Sequence, residues 1–258
     1  MELASAQSPI DNLSDSKGNG KLQDKQSPFK NATINFINMC QSSNSTRYNI
    51  KRTSDKLGFR QRRFYDVVNT LETIGCCPKV DADTFIWLGF DQVRTAIDRM
   101  AKERGVYMEN FSLEEIFPTD GPISIQRITE EFLLLFIALE STTINILEAS
   151  AFLSRDTERE KTTRCKLYQV AAILEIAGVV KKTDKQSEFS LVPDNFISAT
   201  EKITGKSRDP TSLGFLLNRS TPFMEVEVCP IIKSRRSEYI SIQESSEISE
   251  PQTTPEEY

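Results

Sequence analysis

RRFYDVVNTLETIG, from Arg62 to Gly75, reads as one amphipathic helix closed by a glycine. Phe64, Val67, Val68, Leu71 and Ile74 recur at helical spacing and form a core stripe. Arg62, Asp66, Asn69 and Thr73 fall on another face, with Arg63 and Thr70 beside them. A second stretch, CKLYQVAAILEIAG from Cys165 to Gly178, repeats the pattern. Tyr65, Val67, Leu71, Glu72 and Gly75 align with Tyr168, Val170, Leu174, Glu175 and Gly178, always 103 residues apart. Gly75 and Gly178 stand where a helix C-terminus needs a left-handed residue.

The flanks repeat too. In the first copy an apolar amphipathic helix (FKNATINFINM, Phe29–Met39) precedes an extended segment at Tyr48–Ile50, a short helix to Leu57, and the motif helix. Wing strands are expected at about Cys76–Val80 and Thr84–Leu88, with the tip at Asp81 to Asp83. In the second copy ITEEFLLLFIAL (Ile128–Leu139), TTINI, LEASAFL and the segment GVVKKTDKQSEFSLV follow the same order. Helix, strand, helix, helix and two-stranded wing is the order of a winged helix-turn-helix domain. The fold class expected is mainly α with small β wings (α+β): two tandem winged helix-turn-helix domains with disordered termini. The expected boundaries are a disordered tail over 1–26, a first winged-helix domain over 27–90 and a helix and linker over 91–122. A second winged-helix domain with a degenerate motif covers 123–193, an extension 194–237, and an acidic disordered tail 238–258. Asp194–Thr204 is expected to add a short helix, and FMEVEV (Phe223–Val228) reads as a strand or a partner-binding segment.

The chain of 258 residues has a net charge of −5, which on its face argues against a nucleic-acid partner. The charge is uneven, however. Residues 238–258 hold six Glu and no Lys or Arg, whereas Lys51 to Arg63 hold six basic residues and one acid, Asp55. Local patches govern association more than totals do. The five cysteines fit no zinc spacing and there is no histidine to complete one, so neither metal nor cofactor is expected. No apolar run suggests a signal peptide or a membrane span. No phosphate loop, nucleophile elbow or other reacting constellation nominates an enzyme.

RQRRFYDVVNTLETIG resembles the DNA-recognition helix of the E2F/DP transcription factor family, whose pattern is RRxYDxxNxLExIG followed by a wing containing Trp. Arg62, Arg63, Tyr65, Asp66, Asn69, Leu71, Glu72, Ile74, Gly75 and Trp87 fall on it. This resemblance covers roughly Ser27 to Gly89, and the second copy resembles the second DNA-binding domain of atypical members, whose two tandem winged-helix domains pair within one chain. In the second copy Cys165 and Lys166 replace the two arginines, Gln169 the aspartate and Ala172 the asparagine, and Ser190 stands where the wing Trp would be. The resemblance implies a nuclear DNA-binding regulator, often a repressor of cell-cycle-related promoters, acting on GC-containing E2F-type sites in double-stranded DNA. Intramolecular domain pairing, a homodimer and transcriptional co-regulators are the partners it suggests.

The chemistry of the side chains supports that reading. Arginine presents a planar fork that matches guanine O6 and N7, so Arg62 and Arg63 are the candidate base contacts. Tyr65, Asp66 and Asn69 support them, and Asp66, an anion, needs a cationic partner there. Lys51, Arg52, Lys56 and Arg60 are candidate phosphate contacts, with ordinary solubility as the competing explanation. Arg164, Lys166, Tyr168, Lys181 and Lys182 are the second domain's candidates, Lys185 is a further phosphate candidate, and Trp87 belongs to wing and core packing. Lys233, Arg235 and Arg236 form a short basic cluster of the kind a nuclear-import signal uses. A reading from a different class is a winged-helix protein-interaction subunit of a larger nuclear assembly with weak or no sequence-specific DNA binding.

Overall fold

The computed structural model of the chain describes residues 27–43, 45–204 and 229–247. The first unit comprises α1 (Pro28–Ser42), β1 (Arg47–Asn49), α2 (Ile50–Leu57), α3 (Gln61–Thr73), β2 (Lys79–Asp81) and β3 (Thr84–Ile86). Next come α4 (Val93–Glu103) and α5 (Leu113–Ile116). The second unit comprises α6 (Ile125–Ala138), β4 (Thr143–Asn145), α7 (Ile146–Leu153), α8 (Glu160–Ile176), β5 (Val180–Lys182) and β6 (Glu188–Leu191). A 3-10 turn (Pro193–Asn195), α9 (Ala199–Thr204) and α10 (Pro230–Glu247) follow. The expectations placed on 1–26 and on Phe223–Val228 lie outside the described residues.

Each unit holds a three-stranded antiparallel sheet with its third strand in the middle, β1-β3-β2 and β4-β6-β5. The same local devices build both. Ser27 and Ser124 cap α1 and α6 by accepting from the backbone N–H three residues on. Asn49 and Asn145 cap α2 and α7. The hydroxyls of Thr33 and Thr129 return to the carbonyls of Phe29 and Ile125, and those of Ser54 and Ser150 to Lys51 and Leu147. The Asn, Thr and Ser54/Ser150 pairs lie 96 residues apart, against 103 for the motif helices; of the seven extra residues, three lengthen the loop before α8 and four extend the start of α8 itself. Both motif helices end in the same way. Gly75 (φ +80°) and Gly178 (φ +71°) adopt the left-handed conformation, and the residue after each donates back to Leu71 or Leu174.

The first core is aromatic. Phe36 meets Phe64, Phe85 and Trp87 edge-on, with Phe64 5.0 Å away between ring centroids. Two expectations are corrected at the wing and the motif helix. The counterpart of Trp87 is Leu191, not Ser190: Trp87 N–H donates to the Thr46 carbonyl as Leu191 N–H does to Thr142. The second wing is one residue longer at its tip, which shifts the register from 103 to 104. Thr70, read as outward-facing, is fully buried with its hydroxyl on the Asp66 carbonyl, because α3 packs on α6 and α8 as well as on its own unit.

That packing joins the units about a local two-fold relation. Lys30 of α1 pairs with Glu175 of α8 at 2.9 Å, and Gln126 of α6 donates to Glu72 of α3 at 3.1 Å. Lys30 and Gln126 correspond across the repeat, as do Glu72 and Glu175. The same contact therefore occurs twice, in reciprocal sense, as at the interface of a symmetric dimer.

The segment between the units is folded rather than a bare linker. α4 packs on α6, Ser112 and Glu115 form a capping box on α5, and Arg94 donates to the carbonyls of Asp194 and Phe196. The expectation of a disordered tail over 238–258 is corrected for 238–247, which continue α10. Ile232, Arg235 and Tyr239 recur at helical spacing on one buried face, and averaging over six glutamates hides that stripe. Tyr239 packs on Phe152, and Glu238 accepts from the backbone N–H groups of Leu113 and Glu114. The import-signal reading of Lys233, Arg235 and Arg236 is corrected too. Arg235 is buried against the carbonyls of Val106, Met108 and Phe111, and Arg236 donates to those of Leu139 and Glu140 at the end of α6.

Glu131 of α6 is buried beside Arg127, whose Nε donates to it at 2.7 Å. Burial pushes its carboxyl above the ordinary glutamate value, despite the opposing pull of Arg127 and Arg104. A raised folded-state value means that the folded chain holds the proton more tightly than the unfolded one. This contribution to stability is full below the ordinary value and is lost as pH rises through the raised one. Glu131→Gln keeps an acceptor for Arg127 and cannot ionise. It is expected to gain stability relative to the parent as pH rises, by urea unfolding on either side of the glutamate range. An unchanged difference between the two at both pH values would refute this.

Candidate nucleic-acid interface

The first turns of α3 and α8 converge on an open cleft of about 720 Å³ at the junction of the units. Arg62, Arg63, Asp66, Lys161, Lys166 and Gln169 line it, with Ile125, Thr162 and Cys165. The sequence reading missed Lys161 and Gln169. Lys161 lies in the inserted segment, which has no counterpart in the first copy, and Gln169 read only as a lost aspartate.

Arg62 is exposed, and no described residue bonds its side chain. No acidic residue occupies the first turn of α3, and no side chain caps that helix or α8. Two arginines at a helix N-terminus oppose the helix dipole, a local cost that an anion in the cleft would offset. Arg63 is engaged. Its Nη1 donates to Gln169 Oε1 at 2.5 Å and lies 3.8 Å from Asp66 Oδ2. Gln169 Nε2 donates to the same Asp66 oxygen at 2.7 Å. The cationic environment that Asp66 needs is thus supplied by Arg63, with the amide of the second unit between them.

The other candidates on α3 hold the wing. Tyr65 donates to Asp83 Oδ1 at the wing tip, 3.1 Å away, and burial together with Asp83 raises its hydroxyl above the ordinary tyrosine value. Tyr168 repeats this contact with Ser187 at 2.6 Å. Asn69 is bonded by Lys79, which also pairs with Glu72 at 3.1 Å, so Asn69 faces the wing base rather than the cleft. Glu72 and Glu175 are both paired to lysines, in keeping with structural roles.

Lys51, Arg52, Lys56 and Arg60 lie exposed along α2 and the turn into α3, and no described carboxylate pairs with them. They form a basic flank beside the cleft, suited to a polyanion. In the second unit Lys181 and Lys182 are exposed on β5. Arg164 is tied to Glu160, and Lys166 donates to the Ile123 carbonyl at 2.8 Å. Cys165, at the position of Arg62, is exposed and offers no charged fork. The two wings also differ. The first carries Asp81 and Asp83 at its tip, the second Asp184 and Lys185, with Lys181 and Lys182 on its first strand.

Residues 25–89 match the winged-helix DNA-binding domain of the E2F/DP family. Three Arabidopsis thaliana proteins are similar over longer or shorter stretches. The "E2F transcription factor-like E2FD" protein is 26% identical over 182 residues, covering 58% of this chain and 50% of that one. The "E2F transcription factor-like E2FE" protein is 23% identical over 202 residues, covering 62% and 50%. The "E2F transcription factor-like E2FF" protein is 29% identical over 69 residues, covering 27% and 20%. The two longer alignments run well beyond residues 25–89, and there the chain spans about half the length of those relatives. No solved structure matches.

Proposed function

We propose that the chain binds double-stranded DNA at GC-containing E2F-type sites and regulates transcription in the nucleus, as a repressor of cell-cycle-related promoters. The observation that carries this reading is the cleft where α3 presents Arg62 and Arg63 beside the basic flank of α2. On this reading α3 enters the major groove and the two arginines read neighbouring G·C pairs. Lys51, Arg52, Lys56 and Arg60 bind phosphate. The second unit adds Lys161, Lys181 and Lys182 as further phosphate contacts and reads little sequence, since Cys165 replaces Arg62, Lys166 replaces Arg63, and Arg164 is held by Glu160. The similarity of residues 25–89 to a DNA-binding domain supports the class of partner.

Titration of the full chain with fluorescent duplexes that do and do not carry a GC core tests this. The expected result is tighter binding to the GC core and a steep fall of affinity with salt. The slope of log K against log salt is about −6 if the four basic residues of the flank and the three lysines of the second unit each neutralise one phosphate. Absence of duplex binding at low salt would overturn the reading in favour of a protein-interaction subunit, which the net charge of −5 would suit.

A further inference from the structure

We propose that Gln169, a residue of the second unit, positions Arg63 of the first for base reading; this rests on the DNA-binding reading above. Gln169 is the repeat counterpart of Asp66, and the two meet where the units join. Its carboxamide is used at both ends. The oxygen accepts from Arg63 Nη1 at 2.5 Å and the nitrogen donates to Asp66 Oδ2 at 2.7 Å. Arg63 and Asp66 are 3.8 Å apart, beyond hydrogen-bond range, so the amide is the bridge between them. A carboxamide suits this place because it offers an acceptor to a cation and a donor to an anion at once. An aspartate at 169, as in the first copy, would set two carboxylates against each other. Alanine would leave Arg63 with only its longer ion pair to Asp66.

The neighbouring arginine is the internal control. Arg62 has no bonding partner among the described residues, and Arg63 is held. A held arginine loses less rotamer freedom when it meets a base edge, so its reading is stronger and depends on docking of the second unit. The departure from the repeat at 169 is then a gain for the first domain. The second unit contributes to sequence preference without itself touching bases.

The test uses the full chain and a set of duplexes in which each G·C pair of the core is replaced in turn. Arg63→Ala is expected to flatten preference at one base pair and Arg62→Ala at another. Gln169→Ala is expected to reproduce the Arg63→Ala profile in weaker form, with discrimination at that pair reduced roughly threefold to tenfold and the salt slope unchanged. The swap Gln169→Glu with Asp66→Asn lets residue 169 accept from both Arg63 and residue 66, and is expected to restore the profile. The proposal is overturned if Gln169→Ala keeps the parent profile, or weakens all duplexes evenly with no recovery in the swap. If the parent chain shows no base preference, the DNA-binding reading itself fails. A parent that discriminates while Gln169→Ala does so equally well removes only the role of Gln169.

Discussion

A chain carrying Arg62→Ala together with Arg63→Ala is expected to lose its preference for a GC-core duplex by roughly 100-fold, since each bidentate contact to guanine is worth about 1–3 kcal/mol. Non-specific binding is expected to persist, because Lys51, Arg52, Lys56 and Arg60 remain exposed on the flank. The fold is expected to be unharmed. Both side chains lie on the surface of the first turn of α3, which holds no acid, so their positive charge opposes the helix dipole; Asp66, one turn on, is the nearest acid to Arg63. Their removal there relieves about 0.3–1 kcal/mol for each charge, against which stands the lost contact of Arg63 with Gln169 and Asp66, so the net change is expected to be small. Duplex titration and thermal unfolding on the same sample check both halves. Retained GC preference with an unchanged melting curve would remove α3 as the reading element. A large loss of stability would mean instead that the Arg63–Gln169–Asp66 contact holds the units together.

Much of this layout was legible because periodicity survives in a single sequence. The stripe Phe64, Val67, Val68, Leu71 and Ile74 is buried as its spacing requires, and the repeat at Cys165–Gly178 marks a second unit of the same build. Turn chemistry was legible too: Gly75 and Gly178 take the left-handed conformation that only glycine adopts freely. Features that depend on two distant elements were not. Thr70 faces outward on a helical wheel and is buried only because α3 packs on α6 and α8. Gln169 reads as a missing aspartate until Arg63 and Asp66 are seen on either side of it. The longer second wing hid the match of Leu191 to Trp87, because a one-residue insertion exchanges inward and outward positions on a strand. In the site, the sequence placed Arg62 and Arg63 on one helix end, but the roles of Tyr65 and Asn69 moved to the wing, through Asp83 and Lys79.

Arg235→Met is expected to cost the chain about 3 kcal/mol or more of stability, although Arg235 lies far along the sequence from either unit. Arg235 is 1% exposed and forms no ion pair with a carboxylate among the described residues, Glu238 acting on it only at longer range. Its guanidinium instead binds backbone: Nη1 donates to the Val106 carbonyl at 2.8 Å, Nη2 to Met108 and Phe111 at 3.0 Å each, and Nε to Phe111 at 3.2 Å. Burial lowers its pKa from the ordinary arginine value, and the fork remains charged because that value is so high. These carbonyls belong to the turn after α4, where Gly105 (φ +71°) reverses the chain and the Phe111 ring would lie 2.6 Å from any Cβ at that glycine. A turn packed this closely has carbonyls facing inward with no strand or helix to satisfy them, and Arg235 replaces that missing backbone pairing. Methionine fills the volume and supplies no donor, so each orphaned carbonyl costs about 1–3 kcal/mol, less where water can enter. Arg235→Lys is expected to be nearly as damaging, because one ammonium cannot reproduce the planar fork. Urea unfolding gives the magnitude, and hydrogen exchange at residues 106–111 gives the place. Because the turn lies between the units and α10 also grips α6 through Arg236, local opening there is expected to precede global unfolding in the variant. Exchange and unfolding curves identical to the parent would show that the turn holds its shape without α10, and that residues 230–247 are an appendage rather than part of the fold.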